Sequence, residues 1–184
     1  MFIKKILRRK QKEPPLKQSA EINKEFLQVL EANKGIIYKI ANSYCKEPMD
    51  RQDLVQEISY QLWKSFKKYD KTYQLSTWIY RISLNVAISF YRKTKKRTRY
   101  ESNFEGNELL YFEENENPVD ENLQLLTTFI YQLKEIDKAI ILLYLEDKNQ
   151  TEIAQIMGLS LSNISTKIYR IKKILSKKFQ NLKK

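Results

Sequence analysis

Apolar residues recur along this chain at intervals of three and four, the period of helices that bury one face. From Glu21 to about Lys46 they fall at Ile22, Phe26, Val29, Leu30, Ile36, Ile37, Ile40, Ala41 and Tyr44. The stretch Asn33–Gly35 is expected to break that helix in two. Pro48 and Asp50 punctuate, and DLVQEISYQLWKSFKKY then reads as a second helix with Leu54, Ile58, Leu62 and Phe66 as its core stripe. A polar loop, DKTYQLS, precedes a third helix expected from near Thr77 to about Lys93, with Ile79, Ile82, Val86 and Phe90 apolar. The opposite face of that helix carries Arg81, Asn85 and Arg92, and the basic run RKTKKRTR continues from Arg92 to Arg99.

The charge then inverts. Between Glu101 and Glu121 there are eight acidic residues and no Lys or Arg, together with Gly106, Pro118 and four asparagines. Such a segment reads as a flexible, extended connection. Helical spacing returns with Leu125, Phe129, Leu133, Ile136, Ile140 and Leu143, and the polar turn EDKN leads into two last helices. The pattern predicts an all-α protein of two small helical domains. Its expected divisions are a basic arm at 1–20, a first domain at 21–97, an acidic linker at 98–122 and a second domain at 123–184.

Composition supports helix and narrows the chemistry. The chain has three glycines and four prolines in 184 residues, and Lys, Glu, Gln, Leu and Ile abound. A formal net charge of +12 favours a polyanionic partner, nucleic acid ahead of an anionic membrane. With one cysteine, Cys45, no internal disulfide can form, and with no histidine the usual metal ligand and neutral-pH base are missing. No catalytic residue, metal or cofactor is expected. A metal-dependent nuclease using Asp50, Asp53 and Glu57 is the enzyme alternative, and carboxylates at these spacings on a helix face are common without any such role. The start, MFIKKILRRKQK, has no apolar run long enough for a secretory signal or a membrane span, so a cytoplasmic protein is expected. That arm reads as a solubilising tail or as one that touches membrane or nucleic acid.

The stretch QTEIAQIMGLSLSNISTKIYRIKKILSKK carries the most specific pattern. Thr151 is placed to cap a short helix whose Ile153, Ala154 and Met157 turn inward, and Gly158 suits a left-handed turn position. Ser160 or Ser162 can cap the next helix, in which Ile164, Ile168 and Ile171 form the buried stripe. Ser162, Asn163, Ser165, Thr166, Lys167, Tyr169 and Arg170 are left as hydrogen-bonding or basic groups for a major groove, and Lys172, Lys173, Lys177 and Lys178 extend the positive surface. This is a helix-turn-helix, and by itself it fits a stand-alone operator-binding regulator as well as other duplex-binding proteins.

This block, taken with DLVQEISYQLW and STWIYRISLNVAISFYRK, resembles the extracytoplasmic-function group of bacterial RNA polymerase sigma factors. The resemblance covers about residues 21–97 and 123–180. It implies that the first domain binds the clamp helices of core RNA polymerase and the melted minus-ten strand, and that the second binds the minus-thirty-five duplex and the polymerase flap. Asp53, Gln56, Glu57 and Tyr60, off the core stripe of the second helix, match the polymerase-binding surface. Lys71, Tyr73, Trp78, Tyr80 and Arg81, with Tyr69, match the part that captures unstacked bases, where aromatic faces beside cations are the groups such binding needs. Asn85, Arg92 and Lys93 match the promoter-reading helix that follows. The resemblance leaves room for an anti-sigma factor as a further partner, and implies that the acidic linker passes through the polymerase interior. Ser89 stands where the family commonly has Asp, and Lys134 where it commonly has Pro.

Overall fold

In the computed structural model, which describes residues 16–69, 71–101 and 121–182, all regular structure is helical. Among the described residues there are seven helices: α1 (Leu16–Tyr44), α2 (Pro48–Phe66), α3 (Leu75–Glu101), α4 (Glu121–Tyr131), α5 (Glu135–Leu145), α6 (Gln150–Met157) and α7 (Leu161–Leu182). The basic arm up to residue 15 and the acidic segment 102–120 lie outside the described residues, so the expected linker is represented only by its two helical ends.

Helices α1, α2 and α3 pack on one another through Phe26, Ile37, Ile40, Leu54, Ile58, Leu62 and Ile79, all buried. α1 runs unbroken through Gly35, contrary to the expected interruption. A mid-helix glycine costs only about 1 kcal/mol against alanine. Burial of Ile37 and Ile40 one turn on outweighs it, since a buried aliphatic side chain contributes about 1.5–3 kcal/mol. Asn33 joins the helix by donating its side-chain amide to the Val29 carbonyl at 2.8 Å. Pro48 begins α2 rather than merely interrupting the chain: it sits in the first turn, where no backbone donor is required. Asp50 near that end and Lys64 near the other complement the helix dipole. α3 starts two residues before the expected point and continues through the basic run to Glu101. That run contains no glycine or proline to stop it.

The C-terminal helices are built around α5, whose Ala139, Ile140, Ile141 and Leu143 are all buried. A helix apolar nearly all round must be covered nearly all round. α7 covers one side through Ile164, Ile168, Ile171 and Leu175, and α6 another through Ile153 and Ile156. Ile156, not Ala154 or Met157, is the second buried residue of α6. Its cap is Asn149 rather than Thr151: the Asn149 side chain accepts from the Glu152 amide at 2.9 Å, and the Glu152 carboxylate accepts from the Asn149 amide at 3.1 Å. Gly158 closes α6 at φ 65°, the left-handed conformation expected of it. Ser160 then accepts from the Asn163 amide at the start of α7.

The two helix groups are in contact. α3 packs against α5 and α6, and Tyr80 and Leu84 of α3 share a crevice with Ile40 of α1 and with Leu142 and Leu143 of α5.

Candidate nucleic-acid interface

The loop before α3 and the first turns of α3 gather most of the aromatic residues singled out above. Lys71 adopts φ 62°, which turns the chain sharply, and the Tyr69 hydroxyl donates to the Tyr73 carbonyl at 2.7 Å across that turn. Trp78 is half-buried, its ring 5.1 Å from Tyr69 and 6.2 Å from Phe66, so it anchors the loop to α2. Tyr73 is 42% exposed, and the Arg81 guanidinium lies 6.0 Å from its ring centroid. Tyr73 and Arg81 thus form an exposed stacking face beside a cation, Lys71 is exposed two residues before Tyr73, and Asn85, Arg92 and Lys93 occupy exposed positions further along α3.

Tyr80 does not belong to that cluster. It is 7% exposed and faces the turn after α5, with Lys148 Nζ 5.9 Å from its ring. Burial, with Glu146 beside it, raises the pKa of its hydroxyl. Arg92, although exposed, is engaged: its Nε donates to Glu135 Oε1 at 2.7 Å, which holds the Glu135 carboxyl below its ordinary range.

On α7, Ser162, Asn163, Thr166, Tyr169 and Arg170 are exposed opposite the buried isoleucines, and Tyr169 reaches 68% exposure. A large aromatic held in solvent on a basic helix is unusual for packing and suitable for a groove. Two of the remaining positions are tied inward. Lys167 Nζ donates to Asp137 Oδ1 at 2.8 Å, and Ser165 bonds the Gln150 side chain and the Leu161 carbonyl. On α2, Asp53, Gln56, Glu57 and Tyr60 are exposed, Glu57 accepting from Gln61 at 2.8 Å and Tyr60 lying next to the exposed Trp63. Among the described residues no three His, Cys, Asp or Glu side chains are grouped to hold a metal, and no helix is long and apolar enough to cross a membrane.

Sequence reasoning missed a set of residues where the helix groups meet. Lys39 Nζ donates to Glu146 Oε1 at 2.6 Å, and the Tyr44 hydroxyl donates to the Glu135 carbonyl at 2.6 Å. Between them Lys138 is 0% exposed, with its Nζ 4.0 Å from the Tyr131 ring, 5.0 Å from Tyr91 and 5.1 Å from Tyr44. Its ammonium has no hydrogen-bond partner, and burial pushes its pKa down to about 8. The available signal was a lysine set directly before the unbroken apolar run Ala139–Leu143.

Comparison with known proteins matches residues 29–97 to Sigma-70 region 2 and residues 123–175 to Sigma-70, region 4. The chain is 31% identical over 144 residues to the RNA polymerase sigma factor SigV of Bacillus subtilis (strain 168), covering 78% of this chain and 84% of the relative. It is 26% identical to the ECF RNA polymerase sigma factor SigW of the same strain, over 85% of this chain and 90% of that one. Among solved structures it resembles CnrH in complex with the cytosolic domain of CnrY (TM-score 0.62, 21% identity, 86% of this chain and 90% of that one). It also resembles the sigma factor RpoE bound to the anti-sigma factor NepR from Bartonella quintana (TM-score 0.61, 21% identity, 87% and 97%).

Proposed function

Since the chain belongs to the extracytoplasmic-function group of RNA polymerase sigma factors, whose members direct transcription initiation, we propose how its surfaces divide that work. The exposed face of α2, with Asp53, Gln56, Glu57 and Tyr60, binds the clamp helices of core polymerase. The Lys71–Tyr73–Arg81 face takes unstacked bases of the minus-ten element, with Trp78 positioning the loop, and Asn85, Arg92 and Lys93 follow the strand. The outer face of α7, from Ser162 to Arg170, enters the major groove at the minus-thirty-five element, and the same domain meets the flap. The expected divisions, arm 1–20, domain 21–97, linker 98–122 and domain 123–184, serve these roles. The protein binds and positions rather than catalyses, and it works in the cytoplasm with polymerase.

The observation that supports this reading most is the pairing of two exposed DNA-suited faces on one chain. α7 presents polar and basic groups opposite a buried isoleucine stripe, and Tyr73 lies exposed over Arg81. A stand-alone regulator needs the first and has no use for the second. Because a structural neighbour is held by an anti-sigma factor, a protein of that class is a further partner of this chain. The test is gel filtration of the full chain with core polymerase. The wild type is expected to co-elute, and a folded Asp53→Arg, Gln56→Arg variant to separate. Co-elution of both equally would remove α2 from the interface. Failure of the wild type to co-elute, with tight binding to duplex alone, would favour the regulator.

A further inference from the structure

The first turn of α7 is tied down at several points. Ser160 accepts from the Asn163 amide at 3.3 Å, and its hydroxyl lies 3.4 Å from that of Ser162. One turn on, the Ser165 hydroxyl bonds the Gln150 side chain at the start of α6 and donates to the Leu161 carbonyl at 3.1 Å. Thr166 donates to the Ser162 carbonyl at 2.9 Å.

Leu161 stands at the head of this turn. Leu159, two residues earlier, is half-buried against the core, whereas Leu161 is 51% exposed with a serine on either side. A single exposed leucine needs no explanation by itself, and here its position supplies a use. Leu161, Ser165 and Tyr169 follow one another at four-residue intervals and share one stripe of α7. Ser165 is tied inward, so the side chains exposed on that stripe are those of Leu161 and Tyr169. A recognition helix brings its N-terminal residues against base edges, which puts Leu161 among the first to arrive.

The major-groove edges of the base pairs are donors and acceptors with one alkyl group among them, the 5-methyl of thymine. A leucine pressed against any other edge would strip water from polar atoms and return no hydrogen bond. Against the methyl it loses nothing and buries apolar surface on both sides. We infer that Leu161 is a specificity-determining residue of the minus-thirty-five contact, reading one T·A pair through the thymine methyl. This rests on the placement of α7 in the major groove given above. The bonds around the first turn fix the backbone that carries the leucine, so little ordering remains to be done on binding.

The test uses holoenzyme assembled from core polymerase and the full chain, on a promoter from which it initiates. Each thymine of the minus-thirty-five element, on either strand, is replaced in turn by uracil, which removes the methyl and keeps the base pair. Affinity is measured by mobility shift. One replacement should weaken wild-type binding about fourfold, the worth of one buried methyl group. Leu161→Ala should bind the unmodified promoter more weakly and no longer distinguish uracil from thymine at that position. Leu161→Met, which keeps an apolar side chain of similar reach, should keep the distinction. Because Leu161 is exposed, both variants should melt as the wild type does. A wild type indifferent to every uracil, or a folded Leu161→Ala that still responds as the wild type does, would overturn the assignment. Arg170→Ala separates this from failure of the α7 placement. If it weakens binding while no uracil has any effect, Leu161 alone is wrong; if it binds as the wild type does, α7 leaves the groove and the leucine with it.

Discussion

Replacing Tyr73 with alanine isolates base capture from packing better than any other change in the α3 region. The ring is 42% exposed and its only described ring partner is Arg81, 6.0 Å from the centroid, while the cluster of Phe66, Tyr69 and Trp78 does not include it. The turn that carries it is held by its backbone carbonyl, which accepts from the Tyr69 hydroxyl, so truncation leaves that bond in place. The expected loss of stability is therefore small, within about 0.5 kcal/mol, as for exposed positions generally. Stacking one base on an aromatic side chain is worth about 1–3 kcal/mol, comparable to the few kcal/mol that unstacking a base from a duplex costs. Losing it lowers the population of open promoter complex by about 5- to 150-fold, at 1.4 kcal/mol for each tenfold. The assay is permanganate reactivity of minus-ten thymines in polymerase carrying the variant, alongside a mobility assay for promoter binding. Binding should persist while reactivity falls, and Arg81→Ala should behave in the same direction. Wild-type reactivity in both variants would make the cluster a packed helix face with no part in melting.

Further changes follow from the same geometry. Arg170→Ala should reduce promoter-dependent transcription more than Lys167→Ala, because Lys167 is already engaged by Asp137; equal effects in run-off assays would contradict that ranking. Gly158→Ala should lower the melting temperature through a cost of about 1–2 kcal/mol, since the site needs φ 65° although the nearest atom to a new Cβ is 4.0 Å away. An unchanged melting curve would mean the turn relaxes. Stability should rise by about 1 kcal/mol between pH 8 and 9, because the folded Lys138, at about 8, gives up its proton before the unfolded one at 10.5. Above pH 9 the buried Cys45 thiol opposes this, burial having pushed it up to about 11, so that the unfolded chain ionises first. Burial is the largest cause of the low Lys138 value; the charges of Cys45 and Glu135 raise it and those of Lys46 and Lys95 lower it. Urea melts across this range should show the rise in the wild type and lose it in Lys138→Met; a fall between pH 8 and 9 in the wild type would reverse the sign.

The parts of the fold legible in the sequence were those decided within one helix. Ile164, Ile168 and Ile171 are buried as their spacing requires, and Gly158 takes the left-handed position that only its own side chain makes cheap. The cap of α6 was legible too and was assigned two residues late: Asn149 has a glutamate three residues on, whereas Thr151 is followed at that distance by Ala154. The persistence of α1 through Gly35 was not, because it depends on how Ile37 and Ile40 pack against other helices. Tyr80 and Trp78 show the same limit at the site. Both are aromatic residues at the start of α3, yet one is sealed by the turn after α5 and the other leans on Phe66 and Tyr69. Helical period tells which face a residue occupies, and only tertiary contact tells what covers that face. Lys138, whose three ring partners come from three different helices, lies entirely on the tertiary side of that divide.

The division of labour between α2, α3 and α7 stands or falls most directly on run-off transcription from sheared DNA of the source genome, with purified core polymerase in the presence and absence of the full chain. Discrete transcripts that appear only with the chain, and that disappear with Arg170→Ala or with Tyr73→Ala plus Arg81→Ala, are the expected result. Transcripts that are unchanged by adding the chain, or whose start sites survive both sets of substitutions, would contradict it.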